Sequence, residues 1–197
     1  KGPAGYIFYH IEDRKMTVSE MAFTSEKGRK GLYAYMAGHV GSLEECEWYE
    51  PLDDKHFLFW NGGAEHEYIK NSTFPFMMGR ITDPVLAFEG LCCETENDDS
   101  FSFRLTDSFL PENSGIYTVT PKKGQLHIEK EDRAENRTPD FTVGAGALNQ
   151  LFFGALSVRE LKKLGGLKWQ GEKERNEKEE IIHRLLPPMK NWINEWY

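Results

Sequence analysis

Two places in the sequence put a carboxylate where it could hold or deprotonate an ammonium group. The first is Asp83 in "GRITDP", set directly before Pro84 and a short apolar run. Proline suits the first turn of a helix and aspartate the position before it, so Asp83 reads as an N-cap. A carboxylate fixed in this way at a cleft between two subdomains could also bind an ammonium group. The second is the end, "PPMKNWINEWY". Met189, Trp192, Ile193 and Trp196 recur at the i, i+3, i+4, i+7 spacing of one helix face, and Tyr197 lies one turn past Ile193. The stripe reads as packing. With Tyr197 as the last residue, its α-carboxylate is ionised at neutral pH, the reference pKa being about 3.3–3.7. Held in a pocket, it could accept a proton from an amine as a general base.

Other chemistries have weaker support. "TSEKGRKGLYAYM" sets Gly28 and Gly31 between a strand and a helix, where a helix N-terminus could hold a pyrophosphate. A pyrophosphate loop needs more close-approach glycines, so a plain strand-to-helix turn is the reading taken. Six histidines and three cysteines are scattered, with no CxxC and no HxxxH pair, and no metal is expected. His56 and His66 flank a loop and read as surface or core-edge side chains. Cys46, Cys92 and Cys93 read as reduced, buried thiols of a cytoplasmic protein. "EKERNEKEE" reads as a solvated helix face.

A net charge of −8 argues against nucleic acid or an anionic membrane as partner and suits a cationic substrate. No apolar run approaches the roughly 18 residues of a membrane span. At 197 residues, 39% of them hydrophobic, the chain can bury a core in one large or two small domains. It begins at Lys1 and enters a strand at once, which suggests a piece of a longer chain.

The elements that must position these groups fall into two parts. "GYIFYHI" and "MTVSEMAF", joined by the charged turn "EDRK", read as a β-hairpin. A helix follows, with Leu32, Tyr35, Met36, His39, Val40 and Leu43 as one stripe ended by Gly41 and the acidic "EECEWYEP". "KHFLFW" is a short strand, completing ββαβ by residue 73. From residue 74 the pattern gives a short helix after Asp83, then "SFSFRLTDSF" with Phe101, Phe103 and Leu105 on one face. "GIYTVT" and "QLHIEKE" form a hairpin around "PKKG", and "PDFTVG" another strand. "ALNQLFFGAL", "SVRELKKLG" with a Ser157–Glu160 capping box, and "EKERNEKEEIIHRLL" are helices. Strands early and helices late indicate an α+β fold.

In this order the segments resemble the Eis-type (enhanced intracellular survival) acetyltransferases of the GNAT superfamily. "GYIFYHIEDRKMTVSEMAF" and the helix after it look like the second, degenerate GNAT-like domain, and "WYEPLDDKHFLFW" like its closing segment. "MMGRITDPVLAFE" is similar to the arginine–aliphatic–x–aspartate stretch that opens the C-terminal domain, and "LTDSFLPENSGIYTV" to the strand pair after it. "FTVGAGALNQLFFGALSVRELKKLGGL" resembles the leucine-rich segment with its small-residue turn.

The resemblance implies an α+β architecture of a partial GNAT-like ββαβ subdomain, residues 1–73, and a sterol-carrier-protein-like (SCP2-like) domain, residues 74–197. It implies that acetyl-CoA is the co-substrate of the intact enzyme, bound by an N-terminal GNAT domain missing here together with its tyrosine general acid. It makes the carboxylate of Tyr197 the general base and places Asp83, Trp196 and Glu195 beside the substrate. Some members carry an acidic residue directly before the terminal aromatic; here that place is Trp196, and Glu195 lies one earlier. The acceptor expected is a primary amine on a cationic molecule, aminoglycoside-like, polyamine or lysine, and the intact protein is expected to be a homo-oligomer. The fragment alone should be inactive. The alternatives are an SCP2-like module binding an apolar ligand near Phe152, Phe153 and Trp169, or a structural oligomerisation domain.

Overall fold

The computed structural model describes residues 2–51, 54, 70–73, 78–94, 99–131, 138–171 and 175–191. The "KHFLFW" segment, His56, His66 and the terminal Glu195, Trp196 and Tyr197 lie outside the described residues. The chain forms two compact units, one drawn from residues 1–73 and the other Phe74–Asn191.

The first unit is a ββαβ arrangement. β1 (Gly5–Glu12) and β2 (Lys15–Phe23) pair antiparallel around Asp13 and Arg14, both at positive φ, as the tight primed hairpin turns require. α1 (Glu26–Ala37) starts at Ser25, whose side chain accepts from the Gly28 N–H. Gly28 and Gly31 therefore lie inside the helix, not in a loop before it. The helix stops at Ala37, short of the expected Gly41, and Val40 stands 78% exposed outside it. The apolar stripe continues in sequence but not in structure, because successive turns carry the chain out of the helix at Gly38. β3 (Glu45–Trp48) then pairs parallel with β2, Met16 opposite Cys46 and Val18 opposite Trp48. It lies in the acidic stretch taken as a helix stop, since Cys46 and Trp48 alternate with Glu45 and Glu47.

The second unit opens with α2 (Pro84–Glu89), followed by a five-stranded sheet in the order β6-β5-β4-β7-β8. Its strands are β4 (Phe101–Thr106), β5 (Gly115–Lys122), β6 (Gln125–Lys130), β7 (Phe141–Gly144) and β8 (Leu167–Trp169). β4 lies at the centre, and its pairing with β7 is parallel while the remaining pairs are antiparallel. The β5–β6 turn is Lys123–Gly124, both at positive φ, so Pro121 sits within the strand opposite Leu126 rather than in the turn. The Leu126 N–H points away from β5, to Leu91 O, so this pair is a non-hydrogen-bonded one and the missing N–H of Pro121 costs no ladder bond.

Helices α3 (Ala145–Phe152), α4 (Val158–Lys163) and α5 (Arg175–Leu185) complete the unit. The Ser157–Glu160 capping box forms as the sequence indicates. Phe101, Phe103, Phe141 and Phe88 are at most 1% exposed and form one stack of rings at the core. Ser102, on the opposite face of β4, is also buried, as expected of a central strand covered on both sides.

Candidate functional site

Gly79 to Asp83 run ahead of α2 as an irregular strap, so their polar groups need partners from elsewhere. The second unit supplies them. Arg80 donates through Nη2 to both carboxylate oxygens of Asp107, at 2.6 and 2.7 Å. Its guanidinium also lies 4.9 Å from the Phe109 ring centroid. The Ile81 N–H donates to Asn149 Oδ1 of α3 at 3.0 Å, and Thr82 O accepts from Asn113 Nδ2 at 2.9 Å. Asp83 ends the strap as the N-cap of α2, Oδ1 accepting from the Val85 and Leu86 N–H groups at 2.9 and 3.1 Å.

Asp107 is the pivot. It is 4% exposed and also accepts from the N–H groups of Leu110 and Phe109, at 2.9 and 3.0 Å. Burial pushes its carboxyl up, but the Leu110 and Phe109 hydrogen bonds and the Arg80 charge outweigh that and hold it below the ordinary 3.8. Asn113 is pinned in turn: the buried Tyr117 hydroxyl donates to its carbonyl at 2.8 Å. Burial first, and the nearby Asp83 charge second, push the Tyr117 phenol up to about 12, so it stays protonated at neutral pH.

The result is an exposed carboxylate on a rigid mount. Asp83 cannot swing away without giving up its cap, and the strap behind it is clamped at three successive residues. Such a group can hold a cation with little loss of side-chain freedom. Of the four residues singled out in the sequence, the structure describes Asp83; Tyr197, Trp196 and Glu195 lie outside the described residues. The clamp residues Arg80, Asp107, Asn113 and Asn149 were not foreseen as a set. The one local signal was the aspartate of "LTDSF" just past an alternating strand, where Asx turns form.

Two other expectations change. Glu179, within the segment taken as a solvated face, is 6% exposed and faces Lys162 Nζ at 3.1 Å, Arg159 Nε at 3.6 Å and Arg175 Nε at 3.9 Å. A carboxylate can be buried there because cations from α4 and α5 surround it. Cys92 is exposed, not buried, because it forms a bridge with Gln125 beside the edge strand β6; Cys93 is half-buried against the core. Cys46, Cys92 and Cys93 form no disulfide.

Among the described residues no group of three or more His, Cys, Asp or Glu could hold a metal ion, and no helix is long and apolar enough to cross a membrane. The N-terminus of α1 does not fit a pyrophosphate. The Gly28 N–H is already bonded to Ser25 Oγ at 3.2 Å, and Glu26 sets a negative charge in the first turn.

Two family models match successive stretches of the chain. Residues 85–194 match the sterol carrier protein domain family, and residues 1–81 match the acetyltransferase (GNAT) domain family. No curated protein matches the chain. Solved structures do. A protein of Enterococcus faecalis V583 described as a probable N-acyltransferase superposes with a TM-score of 0.75 at 21% identity, over 96% of this chain and 47% of that one. A GCN5-related N-acetyltransferase from Kribbella flavida gives 0.66 at 15% identity, over 98% and 46%. Eis1 from Mycobacterium abscessus gives 0.62 at 16% identity, over 100% and 49%. These likenesses establish the fold, and the chain spans less than half the length of each structure. The sterol carrier match extends over more than half of the 197 residues, and the chain therefore belongs to the sterol carrier protein domain family, with a stretch that matches the GNAT domain model ahead of it.

Proposed function

We propose that the chain forms the acceptor-binding part of an Eis-type N-acetyltransferase, which acetylates a primary amine on a cationic molecule of the aminoglycoside, polyamine or lysine class. The observation that carries this reading is the succession of a GNAT domain and a sterol carrier domain in one chain, aligned over 96% or more of its length with solved acyltransferase-type structures. The α1 N-terminus is poorly suited to a pyrophosphate, so binding of acetyl-CoA is assigned to a preceding GNAT domain and the chemistry of this chain to the amine.

An acceptor amine is protonated at neutral pH, the lysine reference pKa being about 10.4. It must shed a proton before its lone pair can attack an acyl carbon. In a protein that ends at Tyr197, the carboxylate of that residue takes the proton as general base, with Trp196 and Glu195 beside the acceptor. Asp83 holds a second positive group of the same molecule, which suits a polycation better than a monoamine. The excess of 32 acidic over 24 basic residues supports a cationic acceptor through long-range attraction.

The test is acetyl-CoA turnover by the full-length protein with a polyamine or aminoglycoside, comparing the native end with one extended by two alanines. The extension keeps "INEWY" but moves the carboxylate. A fall in kcat of a hundredfold or more, with folding intact, is expected. Unchanged kcat would remove the terminal carboxylate from the mechanism.

A further inference from the structure

We propose that Met16, Met36 and Cys46 of the first unit form a three-sulfur site for a soft monovalent cation, Cu(I), beneath the last turn of α1. Each sulfur comes from a different element. The Cys46 thiol of β3 is directed at α1, where its Sγ donates to Met36 Sδ at 3.7 Å. Met16 of β2 is the Cα partner of Cys46 in the parallel β2–β3 ladder, so the two side chains stand side by side on one face of the sheet. Met16 is fully buried, and Met36 and Cys46 are half-buried.

The donor set decides which ion it takes. Zinc sites are built from His, Cys, Asp and Glu, and this set holds one such residue beside two thioethers. A thiolate with thioethers is the combination that selects Cu(I). Spacing suits it as well. Two sulfurs bound to one ion at about 2.3 Å, at a tetrahedral or trigonal angle, lie about 3.8–4.0 Å apart. Cys46 Sγ and Met36 Sδ already stand at 3.7 Å, so little movement is needed to admit the ion.

Charge points the same way. On binding, the thiol proton of Cys46 leaves to water, its sulfur bonds the ion as a thiolate, and the thioethers donate lone pairs. No electron moves. A monovalent ion with one thiolate is neutral overall, whereas a divalent ion would leave a positive charge in an apolar surrounding. The site also lies where the fold is thin. Among the described residues the first unit buries the apolar side chains of Met16 and Val18, and α1 buries none. A bound ion ties α1 to β2 and β3 at one point, and its binding free energy adds to the stability of this unit. Neither Asp83 nor an amine acceptor enters the proposal.

The experiment uses the full-length protein carrying Cys92→Ser and Cys93→Ser, which removes two thiols of the second unit that would compete for the metal. Cu(I) is added without oxygen, against bicinchoninate as competing chelator, and the methionine methyl groups are followed by NMR. The Met16 and Met36 signals, assigned from their Leu variants, should move together as the first equivalent binds. Met36→Leu keeps the volume and should weaken binding about tenfold or more. Cys46→Ser should lower the copper held by one ion per chain. Bound copper should slow amide exchange in α1 and β2 and leave β4 unchanged.

Methyl signals of Met16 and Met36 that stay put would overturn the site and reduce the Cys46–Met36 contact to packing. Binding undiminished by Met36→Leu would overturn it too, since a thiol acting by itself would then hold the ion. Zn(II) that displaces Cu(I) at equal concentration would overturn the soft-cation assignment. Should Met36→Leu fail to fold, the methyl signals of the parent protein decide the matter.

Discussion

The first unit and the second are built from similar strands, and their aromatic side chains meet different fates. On β1, Tyr6 and Phe8 project from the same face and stand 45% and 60% exposed, whereas Phe101, Phe103 and Phe141 of the second sheet are at most 1% exposed. Among the described residues, the first unit buries two apolar side chains, Met16 and Val18, and α1 buries none. The second unit gathers a cluster of twenty. Alternation along a strand says which side chains share a face; it does not say whether another layer covers that face. In the second unit α2, α3 and α5 all meet the sheet, and in the first α1 packs on one side of it.

The largest expected effect breaks the stronger region. Phe103→Ala removes a ring at the centre of the stack and should cost about 3–5 kcal/mol in denaturant unfolding of the second unit. Loss of less than about 1 kcal/mol would mean that the stack is loosely packed. Asp107→Ala comes next. It strips Arg80 of its partner and leaves the Phe109 and Leu110 N–H groups unpaired, at a cost of about 2–3 kcal/mol near neutral pH. Its pH dependence carries a sign. The folded carboxyl lies below its ordinary 3.8, so the stabilisation is complete above that value and is lost as pH falls through the lower folded value. The gap between the two proteins should close in acid, and a gap independent of pH would exclude the ionised carboxylate as its source.

Met16→Ala probes the weaker region. The expected cost is about 2 kcal/mol, confined to the first unit, so exchange there should quicken while amides of β4 stay protected. Equal quickening in both units would erase the contrast between them. The smallest effect is expected at Asp83. Asp83→Ala removes one helix cap, about 1 kcal/mol by thermal unfolding. Under the proposed function it should also raise KM for a polyamine severalfold in the full-length protein, and an unchanged KM would reduce Asp83 to a cap.

Much of the candidate site's scaffold was legible and little of its wiring. The cap at Asp83 could be read because every part of it is local: an aspartate, a proline and an apolar run within seven residues. The Ser157–Glu160 box was legible for the same reason. The partners of the strap were not, since Arg80 meets Asp107 and Ile81 meets Asn149 across 27 and 68 residues of sequence. β8 was missed, being only three residues long, and β3 was hidden because its alternating glutamates resemble a charged loop. Glu179 looked solvated because a helix segment does not reveal which cations a neighbouring helix will bring to it.

Sequence by itself determined the α+β class, the strands of the β5–β6 hairpin and the caps of α2 and α4, which follow from periodicity, turn chemistry and hydrogen bonds between residues a few positions apart. The GNAT-like and sterol-carrier-like parts were legible only through the resemblance of whole segments to a known family. Tertiary structure alone decided which apolar faces are covered, that Asp107 is a buried anchor, and that Glu179 is buried among cations of two helices. Those depend on burial and on pairing across long separations, where the free energy comes from partners that no local stretch of sequence can name.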